Sequence, residues 1–130
     1  MTMELLMLLG AVGLYFVLTT IPAVTTAATI GPVKAAGSRD EAAPRTGKAG
    51  RCDRALANHG EAMMMFTPVV LTAHVLGAHA DLTVLGAQLF LGGRIVHAIT
   101  YLLGIPIIKP LAYAVELAGI VMIAVQIFQA

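Results

Sequence analysis

Arg54, Asn58 and Glu61 stand four and three residues apart, and Arg94, His97 and Tyr101 repeat the rhythm with spacings of three and four. Each trio falls on one face of a helix, and the first face continues through Met65 and Pro68. Guanidinium groups, an amide, a carboxylate, an imidazole and a phenol are thereby offered together. Such a set suits a small, multiply charged ligand bearing carboxylates and an amine, because guanidinium groups grip carboxylates through paired, charge-assisted hydrogen bonds.

The chain around these residues is strongly apolar. Of its 130 residues 58% are hydrophobic and 12% charged, against roughly 25% charged in a soluble domain. The mean hydropathy is +0.88. A chain this short cannot bury so much apolar surface in a core of its own, so the bilayer is the expected solvent. The net charge of +1 gives no basic excess for a nucleic-acid partner, and the absence of Trp with only 5% aromatic residues argues against stacking on bases or sugars. One cysteine, Cys52, excludes an internal disulfide and any CxxC site.

Four apolar blocks can each cross the hydrocarbon layer, which takes about 20 helical residues. They run from about residue 4 to 30, 54 to 76, 82 to 104 and 111 to 128. Unpaired backbone in lipid is too costly for open sheets, so the reading is an all-α, integral membrane four-helix bundle in a single domain spanning residues 1–130. The first block starts with Met-Thr-Met-Glu, lacks a basic leader and exceeds a signal-peptide core, so it is expected to be retained. Residues 31–50 read as a long polar loop, and Pro106 and Pro110 break the third connection.

Lys34, Arg39, Arg45, Lys48, Arg51, Arg54 and Lys109 put seven of the eight basic residues on one side. The first and third connections are therefore expected in the cytoplasm and both termini in the periplasm or lumen. The eighth, Arg94, falls inside the third span, where a charge costs a few kcal/mol and marks function or a specific partner. Glu61 and Arg94 each lie about ten residues, roughly 15 Å, from the cytoplasmic helix ends, so an ion pair between them is expected. Arg51 adds a further carboxylate clamp by its spacing from Arg54.

Other polar residues are not credited. Cys52 and His59 point away from the stripe, Met63, Met64 and Met65 diverge by about 100° per residue and read as packing, and His74 and His79 lack the carboxylate or thiol company of a zinc site. No metal is expected. Glu116 is an intramembrane acid with Lys109, or Arg94 of a neighbouring subunit, as its prospective partner.

The string Arg54-Ala55-Leu56-Ala57-Asn58-His59-Gly60-Glu61, followed by Phe66 and Pro68, resembles the helix-two signature of the MAPEG proteins, the membrane-associated proteins in eicosanoid and glutathione metabolism. Arg94-Ile95-Val96-His97-Ala98-Ile99-Thr100-Tyr101 resembles the helix-three signature. The resemblance implies a homotrimer embedded in membrane lipid, with glutathione as co-substrate bound between subunits in the cytoplasmic half of the membrane. It also implies attack of the glutathione thiolate on a lipophilic small molecule, as a transferase or peroxidase. Arg54, Asn58, Glu61, Arg94 and Tyr101 correspond to glutathione-binding positions.

Three positions depart from the pattern. Ala62 and His97 replace aromatics, and Ile108 stands where a thiolate-stabilising arginine is usual. Lys109, one residue on, is the expected catalytic cation, favouring thiolate over a thiol with a reference pKa of about 8.5. His97 is the expected proton acceptor. The alternative implied by the missing arginine is a non-catalytic lipid- or thiol-binding protein of the same fold.

Overall fold

Thr2 accepts a hydrogen bond from the Leu5 amide at 3.4 Å and so starts the first helix, α1 (Met3–Ile30), which Gly31 ends with φ at +84°. In the computed structural model, which describes residues 1–38 and 44–129, four more helices follow. They are α2 (Pro32–Ala36), α3 (Gly47–Val75), α4 (Asp81–Leu103) and α5 (Lys109–Gln129). Among the described residues there is no strand.

Two boundaries correct the sequence reading. The polar loop expected over 31–50 is partly helical: Pro32 opens α2, and α3 starts at Gly47, seven residues before Arg54. The long start of α3 is held by Arg45, whose Nε donates to Asp53 Oδ2 at 2.8 Å while its Nη1 reaches Thr26 Oγ1 at 2.7 Å and the Pro22 carbonyl at 3.3 Å. This clamp ties the segment before α3 to α1. Arg39 lies outside the described residues. The second boundary is at α5, where Pro110 sits in the first turn, a place at which a missing amide proton costs nothing.

α1, α4 and α5 are long and apolar enough to cross a membrane. α3, with 29 residues, has the length expected of the second span but is not among the helices apolar enough by composition. Arg51, Asp53, Arg54, Asn58, His59 and Glu61 lower the hydropathy of its first half. A helix carrying that many polar groups must turn them toward protein or water.

α4 is the centre of the bundle and packs on α1, α3 and α5, whereas α1 and α5 do not meet. Its closest neighbour is α5, and small residues make the approach possible. A Cβ on Gly86 would stand 2.6 Å from the Gly119 carbonyl oxygen, and one on Gly93 would stand 2.7 Å from Glu116 Cγ and 3.2 Å from the Ala112 carbonyl. Gly86 and Gly93 on one side, and Ala112 and Gly119 on the other, recur at intervals of seven, so backbone meets backbone along one seam. On the other flank of α4, Phe90 stacks on Phe66 of α3 with ring centroids 3.7 Å apart, in a core completed by Leu8, Ala11, Val70 and Ile123.

The face of α3 that enters this core is Ala55, His59, Ala62, Phe66, Val70 and Ala73, all buried. It lies one residue round from the expected polar stripe. Arg54, Glu61, Met65 and Pro68 are exposed on the single chain, and Asn58 is half-buried. The apolar and small side chains take the core because they fill it without desolvating a charge.

Candidate functional site

Gly93 has no side chain, so α5 comes close enough for Glu116 to reach its neighbour Arg94 across the seam. Arg94 Nη1 donates to Glu116 Oε2 at 2.6 Å, and both residues are only 2% exposed. His97, one turn along α4, places Nδ1 3.1 Å from Glu116 Oε1 and 3.1 Å from Arg94 Nη1. Arg94 Nε donates to Nδ1 of His59 at 3.1 Å, and His59 Nε2 donates to the Ala11 carbonyl of α1 at 2.9 Å. Four helices therefore contribute to one buried network.

The ion pair expected between Glu61 and Arg94 is not the one that forms. Arg94 pairs with Glu116 of its own chain, which also corrects the assignment of Glu116 to Lys109 or to a neighbouring subunit. Glu61 sits on the exposed flank of α3, whereas Glu116 faces α4 at the bottom of the glycine seam. His59, set aside in the sequence reading, is in the core and holds Arg94. Both residues had a signal in the sequence. Glu116 lies four residues after Ala112 and three before Gly119, on the small-residue face, and His59 lies on the Ala55, Ala62, Phe66 face.

A cavity of about 300 Å³ opens beside this network, lined by Asn58, Glu61, Met65, Arg94, His97, Lys109 and Tyr113 among others. Five of the residues singled out in the sequence, from three helices, thus share one space. Tyr101 does not line it but stands next to it: its ring is 5.2 Å from that of His97, and Lys109 Nζ lies 4.0 Å from its centroid, a cation–π contact that holds the lysine at the rim. Arg51 and Arg54 do not line the cavity. Arg51 Nε donates to the Leu102 carbonyl at 3.3 Å, and its guanidinium lies under Gly104, where φ is +78°. A cation there answers the unpaired carbonyls at the C-terminus of α4.

The cavity offers mixed charge: Glu61 to an amine, Arg94 and Lys109 to anions, Asn58 to either hydrogen-bonding sense. Within the chain Arg94 has two of its three nitrogens engaged, and Nη2 has no protein partner among the described residues. Among those residues no cluster of His, Cys, Asp and Glu has the arrangement of a metal site.

A second polar cluster lies at the far end of the bundle. Glu4 is buried and accepts from Thr83 Oγ1 at 2.5 Å, with His79 Nδ1 3.3 Å from the same oxygen and the His74 ring 5.4 Å from that of His79. His79 thus has one carboxylate neighbour, Glu4, which is short of a metal-binding cluster among the described residues.

Fold and site together define an all-helical integral membrane protein with a buried ionic network between two helices long and apolar enough to cross a membrane. The MAPEG family model matches residues 5–129, nearly the whole chain, and the chain belongs to that family. None of the curated proteins and none of the solved structures compared matches it.

Proposed function

We propose that this protein is a membrane-bound transferase or peroxidase that uses glutathione or a related thiol against a lipophilic electrophile. The observation that carries the reading is the convergence of Asn58, Glu61, Arg94, His97 and Lys109 on one cavity of about 300 Å³. A tripeptide thiol presents an amine, two carboxylates and a sulfur. Glu61 answers the amine, and the cations answer the carboxylates and the thiolate. Lys109, at the rim, favours the ionised sulfur, and His97 accepts its proton.

The assembly we propose is a homotrimer with the thiol held at subunit boundaries. Arg54, Glu61 and Met65 are exposed on the single chain, and a carboxylate facing hydrocarbon costs too much to stand uncovered. A neighbouring copy placed against this flank of α3 would close the cavity and supply its missing wall. Arg54 and Arg51 then lie at the cytoplasmic mouth, in keeping with the basic first connection.

One observation favours a second reading. Ile108, at the position of the usual arginine, lines an apolar groove with Leu89, Val96, Leu111 and Val115 on the α4 and α5 surface. A protein that binds thiol or lipid there without turnover fits that groove. Calorimetric titration of the detergent-purified protein with glutathione, followed by assay against a chlorinated aromatic, decides between them. Binding with conjugation supports the enzyme, binding alone supports the second reading, and no binding defeats both.

A further inference from the structure

Glu116 does not line the cavity, yet it touches two residues that do. Its Oε2 accepts from Arg94 Nη1 at 2.6 Å and its Oε1 stands 3.1 Å from His97 Nδ1. Among the described residues that oxygen has no other side-chain donor. Arg94 Nη1, which can only donate, also stands 3.1 Å from Nδ1 but is already served by Oε2 at 2.6 Å. Oε1 would instead be a buried carboxylate oxygen left without a donor, which costs more than a made hydrogen bond returns, so the balance puts the His97 proton on Nδ1. The other ring nitrogen, Nε2, is then bare and has no partner among the described residues, on a residue that lines the cavity.

We propose that Glu116 is the positioning carboxylate of this site. It fixes His97 in the Nδ1–H form, with Nε2 as the proton acceptor offered to the cavity, and it holds Arg94 so that Nη2 is the donor offered beside it. The proposal rests on the reading of the cavity as a thiol site. The step it serves is a proton transfer: the S–H bond of the bound thiol breaks, the sulfur keeps the electron pair, and the proton forms a bond to His97 Nε2. Glu116 touches neither thiol nor acceptor and acts only through its two neighbours.

The groups facing His97 come from three helices. From α3 there are His59 and Glu61, from α4 Arg94 and Tyr101, and from α5 Lys109 and Glu116. Of these, Glu116 is the one carboxylate within hydrogen-bonding distance of a ring nitrogen of His97 among the described residues. His59 is fixed by a different logic, since its Nδ1 must accept from Arg94 while Nε2 donates to a carbonyl. The two histidines are therefore held in opposite tautomers, on either side of the same guanidinium.

Tautomers are read by nitrogen and carbon shifts of ring-labelled histidine, recorded on the ligand-free protein in detergent at alkaline pH, with the His97 signal identified by its loss in His97→Asn. The expected result is Nδ1–H for His97 and Nε2–H for His59, with Glu116→Gln moving His97 toward Nε2–H and leaving His59 unchanged. A bare Nδ1 on His97 in the natural chain, a ring carrying both protons there, or a Glu116→Gln spectrum identical to the natural one would overturn the proposal. If Glu116→Gln fails to assemble, the tautomer of the natural chain decides alone. No ligand is needed, so failure to bind glutathione with the tautomers as expected would defeat the functional reading while leaving the control of the His97 tautomer by Glu116 established.

Discussion

Arg94 of α4 and Glu116 of α5 are joined at 2.6 Å in the interior of the bundle, each 2% exposed. The pair exists because Gly93 leaves room for the carboxylate stem, 2.7 Å from where its own Cβ would stand. It makes α4 and α5 a unit and gives the cavity a fixed back wall.

Removing one partner should be far worse than removing both. Arg94→Met or Glu116→Leu alone strands a buried charge and is expected to cost about 3–5 kcal/mol, whereas the double substitution should recover most of that loss. Thermal unfolding of the purified variants in one detergent checks this. A double variant as unstable as the singles would mean that the pair does not act as a unit.

The glycine seam has a built-in control. Gly86→Ala sets a methyl group against the Gly119 carbonyl oxygen and must push α4 from α5, at an expected cost of about 1–3 kcal/mol. Gly92→Ala meets nothing within 4 Å and should leave stability unchanged or slightly raised through its better helix propensity. Equal melting temperatures for the two variants would refute close packing along this seam.

His59 provides the sharpest contrast with a reading by spacing alone. His59→Leu leaves Arg94 Nε without its acceptor and the Ala11 carbonyl without its side-chain donor, with an expected loss of about 1–3 kcal/mol. Had the residue pointed to lipid, leucine would be neutral or stabilising. The same melting assay separates the two outcomes.

Legibility in the sequence follows this division. Four long helical blocks, the two polar trios and the family signature were legible because helical spacing and hydropathy are local properties. Which flank of α3 enters the core was not, since Ala55, His59, Ala62 and Phe66 lie one position round from Arg54, Asn58, Glu61 and Met65 and make an equally good stripe. Only packing against Phe90 and Ala11 chooses between them. The partner of Arg94 was likewise hidden, because depth arithmetic put Glu61 level with it but carried no information on which helix stands closest. The spacing of Gly86, Gly93, Ala112 and Gly119 held that information.

Surface pairing should matter much less. Arg45 and Asp53 are joined by two hydrogen bonds, yet their side chains are 28% and 41% exposed, so Asp53→Asn is expected to cost no more than about 1 kcal/mol. Proteolysis just before α3 should nevertheless speed up, since Arg45 is what ties that segment to Thr26 and Pro22. Unchanged cleavage would show that the clamp is not what orders it.

Lys109 bears on the chemistry itself. With Nζ at the rim and 4.0 Å from the Tyr101 ring centroid, Lys109→Met should lower the thiolate fraction of bound glutathione, read by ultraviolet absorbance, while Lys109→Arg should keep it. An unchanged fraction in the methionine variant would remove Lys109 from the mechanism.

Calorimetric titration of glutathione into the natural chain and into Glu61→Gln tests the central claim most directly. Glu61 lines the cavity from an exposed flank of α3, so its replacement leaves the core intact while removing the charge offered to the amine. Saturable binding that weakens at least tenfold in the variant, about 1.4 kcal/mol, is the predicted result. No saturable heat with the natural chain, or equal affinity in both, would contradict the account.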